Sequence, residues 1–278
     1  MIKKALMAMD FSNPSLELFH NMPDLMDLGV KELLLVHVVK IKGMPEGVGT
    51  IKRRLLKLIE KDIQKAEEQG VKVELEVCMG TPSEEICRLV VKERCGLVVI
   101  GSSGEGSSVR TTLLGATAAN VVRSCTVPVL LEKFVERDVE SSNLRRKLET
   151  VLVPIDFSTC SEAVLKFIAG YNNLLKKVIL VHVLDKPEDR VEMAEEEDRA
   201  KVKLEKWAKR IADMGPETKV VMGKGIASQT ILAEAGESDV TLIALPRRGR
   251  GLVAGLIIGS TADAVVRRAA APVLVFPF

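Results

Sequence analysis

The chain has 278 residues, of which 47% are hydrophobic, 28% charged and only 3% aromatic, and its formal net charge is +2. At roughly 100–200 residues per domain, two domains are expected, and a core of Val, Leu, Ile and Ala suits parallel strands buried between helices. The near balance of charge gives no basis for a polyanion-binding surface, and no apolar stretch reaches the ~18 residues needed to span a bilayer, so neither nucleic acid nor membrane is expected as a partner.

In chain order, "IKKALMAMD" is an apolar run ending at Asp10, the pattern of a buried strand. "NPSLELFHNMPDLMD" has helical spacing, "KELLLVHVV" predicts a second strand, and "IKRRLLKLIEKDIQKAEEQG" predicts a long amphipathic helix closed by Gly70. "VKVELEV" alternates with period two and predicts a less buried strand. "SEEICRLVVKERC" predicts a helix, "GLVVIG" a short buried strand, "LLGATAANVVRSC" a helix and "VPVLLEK" a last strand. The same order recurs from "ETVLVPID" to "APVLVFPF". Asp10 and Asp156 lie 146 positions apart, His37 and His182 145, Gly80 and Gly225 145, Gly104 and Gly249 145, and Pro128 and Pro272 144. Five landmarks at one lag mark a duplicated domain. The charged segment from Phe134 to Glu149 reads as a linker between domains spanning 1–134 and 149–278. Strands alternating with helices imply parallel sheets with right-handed crossovers, helices on both faces.

Five cysteines occur: Cys78, Cys87, Cys95, Cys125 and Cys160. The odd number, without C-x-x-C spacing, is expected of reduced thiols in a soluble cytoplasmic protein. His37 and His182 each stand in an apolar strand with no second Cys or His beside them, so satisfied strand-end histidines are expected rather than metal ligands. Trp207, on the second long helix, reads as a core or contact anchor.

In open α/β sheets a ligand binds outside the carboxyl ends of the strands, where strand order reverses. The first strand of each copy ends there at Asp10 or Asp156, and the fourth at "VVIGSSGEGSS" or "LIALPRRGRGL". Each of these loops leads to a helix start, "LLGATAAN" or "IIGSTADA". Glycines admit close backbone approach and a helix N-terminus favours negative charge, which is a recipe for phosphate. Two plainer readings stand beside this one: Asp10 and Asp156, each followed by Phe-Ser, could order a loop or cap a helix, and "GSSGEGSS" could be an ordinary loop. No Walker A spacing, paired carboxylates or nucleophile–base couple emerges.

In these motifs the chain resembles a tandem member of the universal stress protein family. Nucleotide-binding members of that family carry G-x2-G-x9-G-[ST] after the fourth strand, an Asp ending the first strand, "HV" on the second, and a terminal "PVLVV"-like strand. The resemblance covers nearly the whole chain except the linker. It implies two open five-stranded parallel sheets of strand order 3-2-1-4-5 (adenine nucleotide alpha hydrolase-like), packed as a pseudo-dimer through their last strands, with a further homodimer as an option.

The resemblance also implies an adenine nucleotide, ATP or AMP, with Mg2+ accompanying ATP. Asp10 and Asp156 would lie near adenine and ribose, and the main chain of Val38 and Val183 would contact adenine. Gly101, Ser102, Gly104, Gly115, Ala116 and Thr117 would line the site of the first copy. Pro154, Leu245, Arg247, Gly249, Gly259, Ser260 and Thr261 would line that of the second. Both copies depart from the pattern. The first has one extra loop residue and Ala116 in place of a hydroxyl, for which Thr117, Ser102, Ser103, Ser107 or Ser108 could substitute. The second has Pro246 in place of the first glycine, which removes an N–H donor, and Arg247 and Arg248 could compensate as phosphate clamps. The implied function is a nucleotide-binding stress-response regulator without robust catalysis. The alternatives are a slow ATPase or self-phosphorylating enzyme, with Ser102, Ser103, Ser107, Ser108 and Thr111 as acceptors, and an assembly module that binds no nucleotide.

Overall fold

The computed structural model describes residues 1–20, 23–39, 47–102, 114–133, 146–184, 190–250 and 258–278. Two compact units divide the chain near residue 136. The first contains β1 (Lys4–Ala8), α1 (Asn13–His20), α2 (Pro23–Asp27), β2 (Glu32–Val39), α3 (Val48–Glu68), β3 (Lys72–Met79), α4 (Pro82–Lys92), β4 (Leu97–Gly101), α5 (Ala116–Ser124) and β5 (Val129–Glu132). The second contains β6 (Thr150–Pro154), α6 (Thr159–Ala169), β7 (Lys177–Leu184), α7 (Arg190–Ala212), β8 (Glu217–Lys224), α8 (Ala227–Glu237), β9 (Leu242–Pro246), α9 (Ser260–Arg268) and β10 (Val273–Phe276). The stretch with helical spacing after β1 contains α1 and α2, the latter opening at Pro23, where a missing N–H costs a first helical turn nothing.

Within the first unit the strands are ordered β3-β2-β1-β4-β5, and within the second β8-β7-β6-β9-β10. Every pair inside a unit is parallel. Both units are thus α/β sheets of the expected strand order. The first strand of each unit sits between the second and fourth, so successive right-handed crossovers leave it in opposite directions and place helices on both faces.

The elements follow from residue pattern. The inner strands β1, β4, β6 and β9 are buried along most of their length, whereas β3 alternates: Val73, Leu75 and Val77 are buried while Lys72 and Glu74 are exposed. Helix α3 buries Ile51, Leu55, Ile59 and Ala66 along one stripe, and α7 buries Ala200, Leu204, Ala208 and Ile211. Gly70 ends α3 with φ +84°, a conformation that suits a residue lacking Cβ, and its N–H donates to Glu67 O at 2.9 Å.

One expectation is corrected. The cysteines are not all free thiols: Cys87 of α4 and Cys125 at the C-cap of α5 form a disulfide, with Cα atoms 5.2 Å apart. Spacing along the chain could not show this, because the 38-residue separation closes only when α4 and α5 pack on the same face. Cys78, Cys95 and Cys160 are free.

Candidate functional site at the strand ends

The two units build the same corner after their first strand. Asp10 accepts hydrogen bonds from Ser12 N at 3.0 Å and Ser12 Oγ at 2.6 Å; Asp156 accepts from Ser158 N at 3.0 Å and Ser158 Oγ at 2.6 Å. The intervening Phe11 and Phe157 have φ of 61° and 58°. A left-handed aromatic residue is uncommon and costs on the order of 1–3 kcal/mol, and here it folds the serine back onto the aspartate. The loop-ordering role of Asp10 and Asp156 is therefore real. Helix capping belongs to Ser158 instead, whose Oγ accepts from Ser161 N at the start of α6. The Asp-Phe-Ser triplet recurring in both copies was the sequence signal for this corner.

The next strand holds the corner in place. Nδ1 of His37 donates to Met9 O at 2.9 Å and Nδ1 of His182 to Ile155 O at 2.6 Å. A carbonyl only accepts, so each ring carries its proton on Nδ1. Phe11 meets His37 edge-on at 5.4 Å, and Phe157 lies 4.6 Å from His182. In the second unit Trp207 also meets Phe157 at 5.7 Å and Lys203 Nζ lies 5.6 Å from its ring centre, a cation–π contact. Among the described residues, no three His, Cys, Asp or Glu are grouped to hold a metal ion.

Strand lengths create an open backbone edge. Pairing of β1 with β2 ends at Ala8 and Val36, with one more bond from Met9 N to Val36 O. Strand β2 continues to Val39 against β3 alone. The N–H and C=O of one strand residue point the same way, and those two positions on face the same side. Val36 faces β1, so the main chain of Val38 also faces that side, beyond the point where β1 has ended. Val183 repeats the arrangement, since Ile155 N donates to Val181 O.

On the other side of the first strand, the fourth strand leads to the helix start. Ser102 N donates to Glu132 O and Gly115 N to Ser102 O, both at 2.8 Å, so α5 begins against the end of β4. In the second unit Arg247 N donates to Phe276 O at 2.7 Å and Gly259 N to Arg247 O at 2.9 Å. Gly115 and Gly259 are N-caps without a side-chain cap, so no capping side chain covers the first-turn amides of either helix. Gly249 packs against Asp156: a Cβ there would collide with its Oδ2, which also accepts from Arg250 N at 2.7 Å.

In the second unit Asp156, Val183, Gly249, Gly259, Ser260 and Thr261, all expected at the site, lie around the carboxyl ends of β6, β7 and β9, and Pro154 ends β6. Leu245 is buried in β9 with 2% of its surface exposed. In the first unit Asp10, Val38, Gly101, Ser102, Gly115, Ala116 and Thr117 occupy the matching places, while Gly104, Ser103, Ser107, Ser108 and Thr111 lie outside the described residues. Sequence reasoning missed Lys203, the left-handed Phe11 and Phe157, and the Arg250 amide on Asp156.

Burial alone would raise the Asp156 carboxyl pKa. Hydrogen bonds from Ser158, Ser161 and the Arg250 amide outweigh it, and the group sits below its usual value. Such a carboxylate adds stability above its unfolded pKa, and the contribution is lost as pH falls through the folded value. Asp156→Asn is therefore expected to flatten the acid limb of stability between about pH 5 and pH 2. Thermal melts across that range measure it, and an unaltered acid limb would contradict the assignment.

The family model described as "Universal stress protein family" matches residues 1–133 and again 147–277. The chain belongs to this family. Universal stress proteins thus account for both halves of the repeat. The universal stress protein MJ0531 of Methanocaldococcus jannaschii is 32% identical over 145 residues, 49% of this chain and 85% of that protein. The universal stress protein Slr1230 of Synechocystis is 24% identical over 257 residues, 92% of this chain and 83% of that one. Among solved structures, a universal stress protein from Archaeoglobus fulgidus superposes with a TM-score of 0.70 at 24% identity, covering 98% of this chain and 97% of that one, a likeness of fold. No helix among the described residues of this universal stress protein is long and apolar enough to cross a membrane.

Proposed function

We propose that this universal stress protein is a nucleotide-responsive regulator that holds an adenine nucleotide at the carboxyl ends of its inner strands. The observation that carries this reading is the convergence at one switch point of three features: the unpaired side of a strand at Val183, the carboxylate of Asp156 and the uncapped first turn of α9. A strand edge offers an N–H and a C=O side by side, which matches an adenine edge with its N6–H donor next to a ring-nitrogen acceptor. A carboxylate accepts from ribose hydroxyls, and helix amides take a phosphate. Mg2+ fits as a companion of ATP phosphates, since that ion keeps much of its shell from water and phosphate. Binding would act by population shift, favouring whichever conformation holds the nucleotide better.

Denaturing the purified protein and identifying released small molecules by mass spectrometry tests the reading, with calorimetric titration of the stripped protein by ATP and AMP. The expected result is an adenine nucleotide released and saturable binding on titration. Time-dependent ADP formation would favour the enzyme instead. Neither release nor binding would leave the assembly module.

A further inference from the structure

The two loops that follow the fourth strands differ in charge: residues 247–258 carry three arginines and no acid, whereas residues 102–114 carry one glutamate, Glu105, and one arginine, Arg110. Aligned on the repeat, the second unit has Arg247, Arg248 and Arg250 where the first has Ser102, Ser103 and Glu105. In the second unit this stretch is fixed by main-chain bonds. Arg247 is clamped from both sides, its N–H on Phe276 O and its carbonyl receiving Gly259 N; Arg248 N donates to Phe278 O at 3.3 Å. A Cβ built at Gly259 would lie 3.5 Å from Arg247 O and 3.9 Å from Arg248 Cα, so the main chain of both arginines lies against the N-cap of α9. The loop already holds an anionic oxygen, because the Arg250 amide binds Oδ2 of Asp156. Asp263, the acid nearest the start of α9, is bridged by Arg267 at 2.7 and 3.3 Å, which blunts its repulsion of an incoming anion.

Resting on the nucleotide reading above, we propose that the second unit selects the polyphosphate end of a nucleoside triphosphate through Arg247 and Arg248. The first unit has Ser102, Ser103 and Glu105 at the matching sequence positions and lacks that arginine pair. Guanidinium groups suit this task, since each can give two parallel hydrogen bonds to phosphate oxygens. Pro246 supports the division. It withdraws one backbone donor from the end of β9, and side-chain cations take over part of its role. Burial of Arg247 and the like charge of Arg248 both weaken its hold on its proton.

The chain's single tryptophan makes the second unit separately readable. Trp207 touches Phe157, the residue next to Asp156, so its emission reports that crevice, while calorimetry records both. Adenosine, AMP and ATP are titrated into the stripped full chain, ATP with and without Mg2+, at low and high salt. The expected result is that the Trp207 signal saturates with ATP at least about tenfold more tightly than with AMP, and that salt narrows the gap by screening. The double variant Arg247→Gln/Arg248→Gln should bring the ATP-to-AMP ratio to near one. The single Arg248→Gln should reduce it severalfold, and serves if the double variant does not fold. Equal ATP and AMP affinities at Trp207, or an ATP preference seen only as heat without an emission change, would overturn the proposal while sparing nucleotide binding. Adenosine, AMP and ATP all giving neither heat nor emission change would overturn the nucleotide reading and this proposal together.

Discussion

Gly249→Val is expected to lower the affinity of the second unit for adenine nucleotide by about a hundredfold or more. The reason is steric and specific. A Cβ at residue 249 would strike Oδ2 of Asp156, and that carboxylate cannot move freely. Its other oxygen is held by the main chain and hydroxyl of Ser158, and Oδ2 itself accepts from Arg250 N. Making room for a branched side chain would swing the carboxylate out, release the Arg250 amide and push the loop away from the start of α9. Overpacking of this kind costs about 1–3 kcal/mol, so the melting temperature should fall as well. Gly259→Ala separates the two effects. Its Cβ would meet only ordinary contacts, the nearest being Arg247 O at 3.5 Å, so the variant should melt close to the parent. Titration followed through Trp207, together with thermal melts, measures both. Wild-type affinity in Gly249→Val would show that this loop does not touch the ligand.

The second large effect concerns the disulfide. Opening the Cys87–Cys125 bond, by reductant or by Cys125→Ala, is expected to destabilise the first unit by about 2–4 kcal/mol, the chain-entropy contribution of a loop of this length. Cys125 is 1% exposed, so the alanine variant also loses a buried sulfur. At the matching places of the second unit stand Leu232 and Ala269, and that unit should be insensitive to reductant. Urea unfolding followed by far-ultraviolet circular dichroism should show an earlier transition under reduction, while Trp207 fluorescence, reporting the second unit, stays in place. Thiol titration gives an independent count. Unfolded and without reductant, the protein should yield three thiols, from Cys78, Cys95 and Cys160. In the native state Cys95 should remain silent at neutral pH, because burial pushes its thiol up to about 11. Five thiols in the unfolded, unreduced protein would refute the bond.

Much of this protein is legible in the order of its residues. The lag between Asp10 and Asp156 exposes the duplication, and apolar runs and helical stripes place the strands and long helices, because those signals depend on neighbours a few residues away. The Asp-Phe-Ser triplet marks the corner after each first strand, and a glycine marks the start of each last helix. Tertiary structure decided the rest. Only the sheet showed that β2 outruns β1, which leaves the main chain of Val38 facing the side where β1 has ended. Only the packing of segments 94 residues apart set the Arg250 amide on Asp156, and only the pairing of α4 with α5 joined two cysteines that residue spacing leaves as free thiols. The physical reason is the same in each case. Local pattern fixes which face of an element is apolar, but the distance between two atoms far apart in the chain is set by how the buried faces close on one another.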